Sequence, residues 1–307
     1  GSTKPANLFF SLDPADPEVA GIYPHEPGVD KGVYIGYDAT NGFWDVQLSS
    51  PPNQIVMLSA SAVVTVSDLT TIGFESSDGA LSDLLLVQRA AGGFEDVTAS
   101  AGVGDPTPCG SVVAADFDND TDLDLYLVCL GVVNNLPNIL YENLGDGTFV
   151  QVPQAGGAQG STQGSGESVA TVDIDNDGFI DLFVTNGEGG LPFGMGPHQL
   201  FRNLGNANHW LEVDLEGVES NRDAVGAQVV ITAGGVSQVR TQDGGMHHST
   251  QNSQRLHFGL GDSAVVDSLT VYWPNGIIQY VLDIPANRII HVLEASGSSV
   301  YSDPTTD

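Results

Sequence analysis

Asp173-Ile174-Asp175-Asn176-Asp177-Gly178-Phe179-Ile180-Asp181-Leu182 decides how this chain folds. Counted from Asp173, carboxylates stand at positions 1, 3, 5 and 9. A near-copy 57 residues earlier reads Asp116-Phe117-Asp118-Asn119-Asp120-Thr121-Asp122-Leu123-Asp124-Leu125. So many like charges in one short stretch repel unless a hard cation neutralises them. Calcium, which takes about six to eight oxygen ligands, suits such a loop. The expected ligands are Asp116, Asp118, Asp120, Asp122 and Asp124 in one stretch. In the other they are Asp173, Asp175, Asp177 and Asp181, with Phe179 offering its main-chain carbonyl as Asp122 would in the first. Two calcium sites are therefore expected. The alternative is an Asp-rich surface turn without metal, and two copies in one register speak against it.

An EF-hand also begins with alternating acids, but it needs a bidentate Glu at position 12 and a helix on each side. Position 12 is Leu127 in one stretch and Val184 in the other. The flanks Ser111–Ala115, Leu125–Val128, Ser168–Val172 and Leu182–Thr185 are short and β-prone. Each acidic stretch thus reads as a loop joining two strands.

The surrounding composition agrees. With 39 acidic against 8 basic residues, the net charge of −31 repels nucleic acid and anionic membranes, so neither is an expected partner. Hydrophobic residues make up 41% of the chain, too many for a disordered one. No run approaches the roughly 18 apolar residues of a membrane helix, so no membrane insertion is expected. No secretion signal opens the chain; Gly1-Ser2 reads as a cloning remnant, which leaves room for a signal removed upstream. Use of calcium and the scarcity of Lys (Lys4 and Lys31 alone) point to a secreted, extracellular or cell-surface setting. The two cysteines, Cys109 and Cys129, flank the first acidic loop. In a hairpin centred near Asp120 they lie one diagonal step apart. A disulfide, contributing about 3 kcal/mol for a loop of this size, and a pair of buried thiols both fit.

The loops belong to a longer repeat. Leu140-Tyr141-Glu142-Asn143-Leu144-Gly145-Asp146-Gly147-Thr148-Phe149 follows the first, and Leu200-Phe201-Arg202-Asn203-Leu204-Gly205-Asn206 follows the second. An eroded earlier copy, Phe74-Glu75-Ser76-Ser77-Asp78-Gly79-Ala80-Leu81-Ser82-Asp83-Leu84, has lost most carboxylates and is expected to hold no metal. Repeats of this length with four short strands suggest propeller blades. Over residues 73–206 the sequence resembles the FG-GAP/VCBS repeats of secreted and integrin-like β-propellers, although Thr121 replaces the usual loop glycine. Farther on come Asn208-His209-Trp210-Leu211-Glu212-Val213-Asp214-Leu215, Ser220-Asn221-Arg222-Asp223-Ala224-Val225-Gly226-Ala227, Leu256-His257-Phe258-Gly259-Leu260-Gly261 and Val271-Tyr272-Trp273-Pro274-Asn275-Gly276. In that order they resemble the UnbV/ASPIC domain, which ends cartilage-acidic-protein-like proteins. The resemblance implies a transthyretin-like sandwich. Alternation at Ala227–Ile231, Val236–Arg240, Leu269–Trp273 and Ile289–Leu293 independently predicts a half-buried antiparallel sandwich.

The expected architecture is all-β: an N-terminal β region (1–72), calcium-loop blades of a small or partial propeller (73–206), an antiparallel β-sandwich (207–296) and a tail (297–307). In the N-terminal region Gly32–Asp38 and Phe43–Leu48 read as a hairpin around Ala39–Gly42, with further strands at Ile55–Leu58 and Ala62–Val66.

No constellation reads as catalytic. The loop carboxylates are consumed as ligands, and His247-His248 would point to opposite faces of a strand; they sit in what reads as a polar loop. His257 reads as packed. Nucleophile elbows, phosphate loops and zinc spacings are missing, so no enzyme activity is expected. The Gly-rich stretch 187–196 carries Leu191, Phe193 and Met195, either tucked against a blade or exposed for recognition. The favoured function is a calcium-stabilised extracellular scaffold for recognition or adhesion, with a protein or glycan ligand. The second is a glycan-binding or accessory module of a carbohydrate-active enzyme, with Tyr34, Tyr37, Phe43 and Trp44 as a stacking platform.

Overall fold

The computed structural model describes residues 13–26, 29–30, 32–49, 83–90, 92–130, 135–187, 196–247, 250–295, 297–298 and 301. Chain contacts divide the protein into two units, residues 1–70 and 71–307.

In the first unit, β1 (Gly32–Asp38) and β2 (Phe43–Ser49) form the expected hairpin, with Asp38 opposite Phe43. The Asp38 carboxylate closes the turn by accepting from the amides of Thr40 (2.8 Å) and Asn41 (3.1 Å). Side chains alternate along a strand, so this register puts Tyr37 with Trp44 on one face and Tyr34 with Phe43 on the other. Tyr34 stacks on His25 at 3.7 Å, and Tyr37 lies tilted on Trp44 at 5.1 Å. The single four-ring platform expected from the sequence is thus divided by the pleat. The strands expected at Ile55–Leu58 and Ala62–Val66 lie outside the described residues.

The regular structure among the described residues of the second unit is almost wholly β, with one short α-helix, α1 (Thr98–Ala101), and a 3-10 helix at Pro153–Gly157. β3 (Leu86–Gln88) pairs with β4 (Phe94–Asp96); most of the eroded repeat before them, 74–82, lies outside the described residues. Next comes a four-stranded antiparallel meander of β5 (Cys109–Ala115), β6 (Asp124–Cys129), β7 (Ile139–Asn143) and β8 (Phe149–Gln151). A three-stranded meander follows: β9 (Ser165–Val172), β10 (Asp181–Gly187) and β11 (Gln199–Phe201). Each acidic stretch joins the first two strands of its meander, as the sequence predicts. Four strands per repeat hold only for the first. There, the turn between Asn143 and Phe149 folds the chain back, whereas after β11 it runs on into the next layer.

Both faces of β6, an inner strand of the first meander, are buried, which explains why it is apolar almost throughout. Tyr126 and Val128 meet Val169, Leu182 and Val184 of the second meander, while Leu127 and Cys129 meet Ala101 and Val103 on the other side. Cys109 and Cys129 form a disulfide. They lie directly opposite each other rather than diagonally, because an irregularity between Cys109 and Ser111 shifts the register.

The remaining strands are β12 (His209–Glu216), β13 (Gln228–Ala233), β14 (Val236–Thr241), β15 (Met246–His247), β16 (Thr250–Gln251), β17 (Leu256–Gly261), β18 (Val265–Tyr272), β19 (Ile278–Pro285), β20 (Arg288–Leu293) and β21 (Gly297–Ser298). They form a sheet of order β17-β12-β20, another of order β14-β13-β18-β19-β21, and a small β15-β16 hairpin where a polar loop was expected. His248 lies outside the described residues. One core joins the two larger sheets: Leu211, Val213, Phe258 and Ile290 meet Val229, Ile231, Leu269 and Val271, all fully buried. Each such side chain contributes roughly 1.5–3 kcal/mol by burial. The pairing is not wholly antiparallel as expected, since β12–β20 and β19–β21 are parallel. Side-chain alternation has the same period in both arrangements, so a sequence pattern carries no record of strand direction.

Candidate metal centres

The two acidic loops have matching internal hydrogen bonds. The amides of Asp120 and Thr121 donate to the two oxygens of Asp116 (3.1 and 3.0 Å), as those of Asp177 and Gly178 donate to Asp173 (3.1 and 2.7 Å). At position 9, Asp124 accepts from Phe117 and Asn143 (3.0 and 2.9 Å), and Asp181 from Ile174 and Asn203 (3.0 and 2.7 Å). The alternating acids wrap the loop around position 1, and position 9 pins its start to the following strand. Asn119 and Asn176, at position 4, take positive φ values (61° and 55°), which Asn tolerates better than most residues.

These bonds bring one oxygen each of Asp116, Asp118 and Asp120 within 4.8 Å of one another, and likewise Asp173, Asp175 and Asp177. The other expected ligands are not part of these groups of three. Asp124 and Asp181 are held by main-chain amides, and Asp122 lies against Gly145. The main chain at Phe179 is fixed by its amide's bond to Asp177 Oδ1 (3.1 Å).

The electrostatics show what such groups demand. Burial, with the charges of Asp118, Asp120 and Asp124, pushes Asp116 up to about 7 despite the Thr121 amide. Burial likewise takes Asp124 to about 6 against the amides of Asn143 and Phe117, and raises Asp118, Asp122 and Asp173. The loops therefore carry more charge than the fold by itself accommodates. A hard divalent cation would relieve this, and an all-oxygen donor set suits calcium rather than a softer metal.

The C-terminal module meets both loops, burying Asn119 of the first and Gly178 of the second. Asn119 donates through Nδ2 to the carbonyl of Gly178 (3.0 Å), which also meets Nε2 of His257 (3.0 Å). A carbonyl only accepts, so His257 is the Nε2–H tautomer, and burial lowers its pKa to about 4. The amide of Gly261 donates to Asn119 O (2.8 Å), and Arg255 donates to Asn176 Oδ1 (2.8 Å) while pairing with Glu212 (3.1 Å) and Asp214 (3.2 Å). A Cβ on Gly178 would fall within the ring of Trp210, and one on Gly259 would meet the Asp116 carboxylate. Asn203 donates to the Phe117 carbonyl (2.7 Å), and Asn208 to that of Asp118 (2.8 Å). The sequence reading singled out neither position 4 of the loops nor this role for Trp210, Arg255 and His257. The available signal was the repetition of Asn at position 4 in both loops.

Among the described residues, no helix is long and apolar enough to cross a membrane. Residues 217–299 match the family model "ASPIC and UnbV", and residues 128–184 match "FG-GAP-like repeat". Cartilage acidic protein 1 of Mus musculus is 30% identical over 220 residues, which cover 68% of this chain and 33% of that protein. The Homo sapiens protein of the same name is 29% identical over 219 residues, covering 69% and 32%. That of Xenopus tropicalis is 29% identical over 208 residues, covering 65% and 31%. The chain thus spans about a third of the length of the curated relatives it matches. With both models matched in one chain and these relatives aligned to it, the chain belongs to the cartilage-acidic-protein-like family of FG-GAP-repeat proteins with a UnbV/ASPIC domain.

Proposed function

We propose that this protein is an extracellular, non-enzymatic scaffold for recognition or adhesion, in which two calcium ions hold the structure together. The observation that carries this reading is the contact of both loops with β12 and β17, through Asn119 and Asp116 in the first and Gly178 in the second. Asp116, Asp118 and Asp120 would hold one ion, and Asp173, Asp175 and Asp177 the other. The ion would supply the positive charge these carboxylates lack and no chemistry of its own. Because the loops are also the docking surface of the C-terminal module, metal binding is linked to the folding of both. The two meanders are read as successive blades of a small or partial propeller, and the C-terminal sheets as a transthyretin-like sandwich. A disulfide in the first meander and the use of calcium both suit an oxidising, calcium-rich setting outside the cell.

The test is thermal unfolding in calcium and in chelator. The midpoint rises with calcium, and Asp175→Ala reduces the rise; identical midpoints in both buffers would remove the reading. A second reading, glycan binding, is favoured by the Tyr37–Trp44 pair, since Trp44 and the neighbouring Phe43 are exposed. A glycan array with intact protein and Trp44→Ala tests it, with loss of a bound sugar as the expected result.

A further inference from the structure

The two loops share their internal bonds but not the residue that faces them. Glu142 and Arg202 hold equivalent places, each one residue before the asparagine (Asn143 or Asn203) whose amide binds the position-9 carboxylate. Glu142 lies close enough to Asp118 to add to the repulsion that carboxylate feels. Arg202 does the opposite. Its Nε pairs with Asp175 Oδ2 at 2.5 Å and its Nη2 with Asp177 Oδ2 at 3.2 Å. Two of the three converging carboxylates of the second loop are therefore already paired with one guanidinium of the chain itself, which offsets one of their two charges. In the first loop, among the described residues, the nearby cation is Arg240. It stands over the Phe258 ring at 5.2 Å, donates to Val239 O and Gln238 Oε1 (3.1 and 3.2 Å), and feels the charge of Asp116.

We propose that Arg202 is a tethered counter-cation, which holds the second loop together without metal and sets its calcium affinity below that of the first. The inference rests on the calcium reading above. A divalent ion at the second loop either displaces the guanidinium from two ion pairs or binds beside a fixed positive charge. Either course weakens binding. The Arg202 side chain is more than half exposed and reaches the loop from outside, so it can leave without disturbing the core. Where Arg202 stands in the second repeat, the first carries a negative charge, which attracts the ion. A difference of two charges a few ångströms from the ion amounts to at least about tenfold in affinity at low salt. The competing view is an ordinary surface ion pair of little energetic consequence.

Calorimetric titration of the intact chain with calcium decides between them, with Asp118→Asn and Asp175→Asn assigning each binding event to its loop. Two classes of site are expected, about tenfold or more apart, and Asp175→Asn removes the weaker. Arg202→Gln tightens that weaker class by about tenfold and leaves the tighter one within about twofold. It also lowers the unfolding midpoint in chelator but not in saturating calcium. Glu142→Gln loosens the tighter class alone. An Arg202→Gln variant with unchanged weaker binding, or one whose midpoint drops equally in both buffers, overturns the proposal and leaves the calcium reading intact. Absence of any calcium binding by the unaltered protein would instead remove the calcium reading, and this inference with it.

Discussion

Gly178 lies so close to Trp210 that the indole ring occupies the space a Cβ would need. The glycine is in the second acidic loop, and the tryptophan is the second residue of the first strand of the C-terminal module. One contact thus ties an acidic loop to the module that follows it. Thr121, the equivalent residue of the first loop, has a φ of 93° against 86° for Gly178, a conformation that strains a β-branched residue. Gly178→Ala should cost about 2–4 kcal/mol, from overpacking against Trp210 and left-handed strain together. Thr121→Gly should stabilise by about 1 kcal/mol or more. Urea unfolding measures both; equal and small effects would show that the loops do not bear on the joint.

Acidification should stabilise the chelated protein. Burial raises Asp116 to about 7, Asp124 to about 6 and Glu212 to about 7, so between neutrality and about pH 5 the folded state takes up protons that the unfolded chain does not. His257, lowered to about 4, works the other way, since the unfolded chain is protonated first. Three carboxylates against one imidazole leave a net gain. The midpoint in chelator is expected to rise from pH 7.5 to 5, while the increment due to calcium shrinks, because the metal needs ionised ligands. A midpoint in chelator that falls steadily over this range would contradict the assigned burial.

At lower pH the sign reverses. Burial alone would raise Glu294, but the amides of Val218, Glu219 and Ser220 and the Ser220 hydroxyl hold it down to about 2. The stability it confers is present above its ordinary 4.5 and is lost as pH falls from there toward 2. Glu294→Gln should destabilise by about 2 kcal/mol at neutral pH and flatten that acid limb. Denaturation curves at pH 7 and pH 3.5 provide the comparison.

Removing the disulfide by Cys109→Ala with Cys129→Ala should cost about 3 kcal/mol, since it closes a segment of 20 residues. Because that segment contains the whole first loop, the variant should also lose calcium affinity at the first site while the second is unchanged. Chemical denaturation and titration on one sample measure both; a loss of stability below about 1 kcal/mol would mean that the meander alone holds the segment closed.

Much of this molecule was legible before its folding was known. Alternating aspartates announce a compact oxygen-rich loop, because only that arrangement gathers many carboxylates around one point. The residue at position 12 excluded the helical alternative, and the flanking apolar runs marked the strands. Pairing direction was not legible, as β12 and β20 show, because alternation is blind to it. Nor was it legible which N-terminal aromatics share a face, since that depends on a register fixed by the Asp38 turn.

The sequence by itself determined the two loops, their repeat and the all-β class, since each rests on chemistry within a dozen neighbouring residues. Tertiary structure alone decided what the loops do for the fold. Asn119, Gly178, Trp210, Arg255 and His257 are scattered over some 140 positions and meet only when the chain has folded. The pairing of Arg202 with Asp175 and Asp177 is of the same kind. Spacing along the chain records local charge, but the balance between a carboxylate and a distant guanidinium depends on distance in space, which folding alone sets.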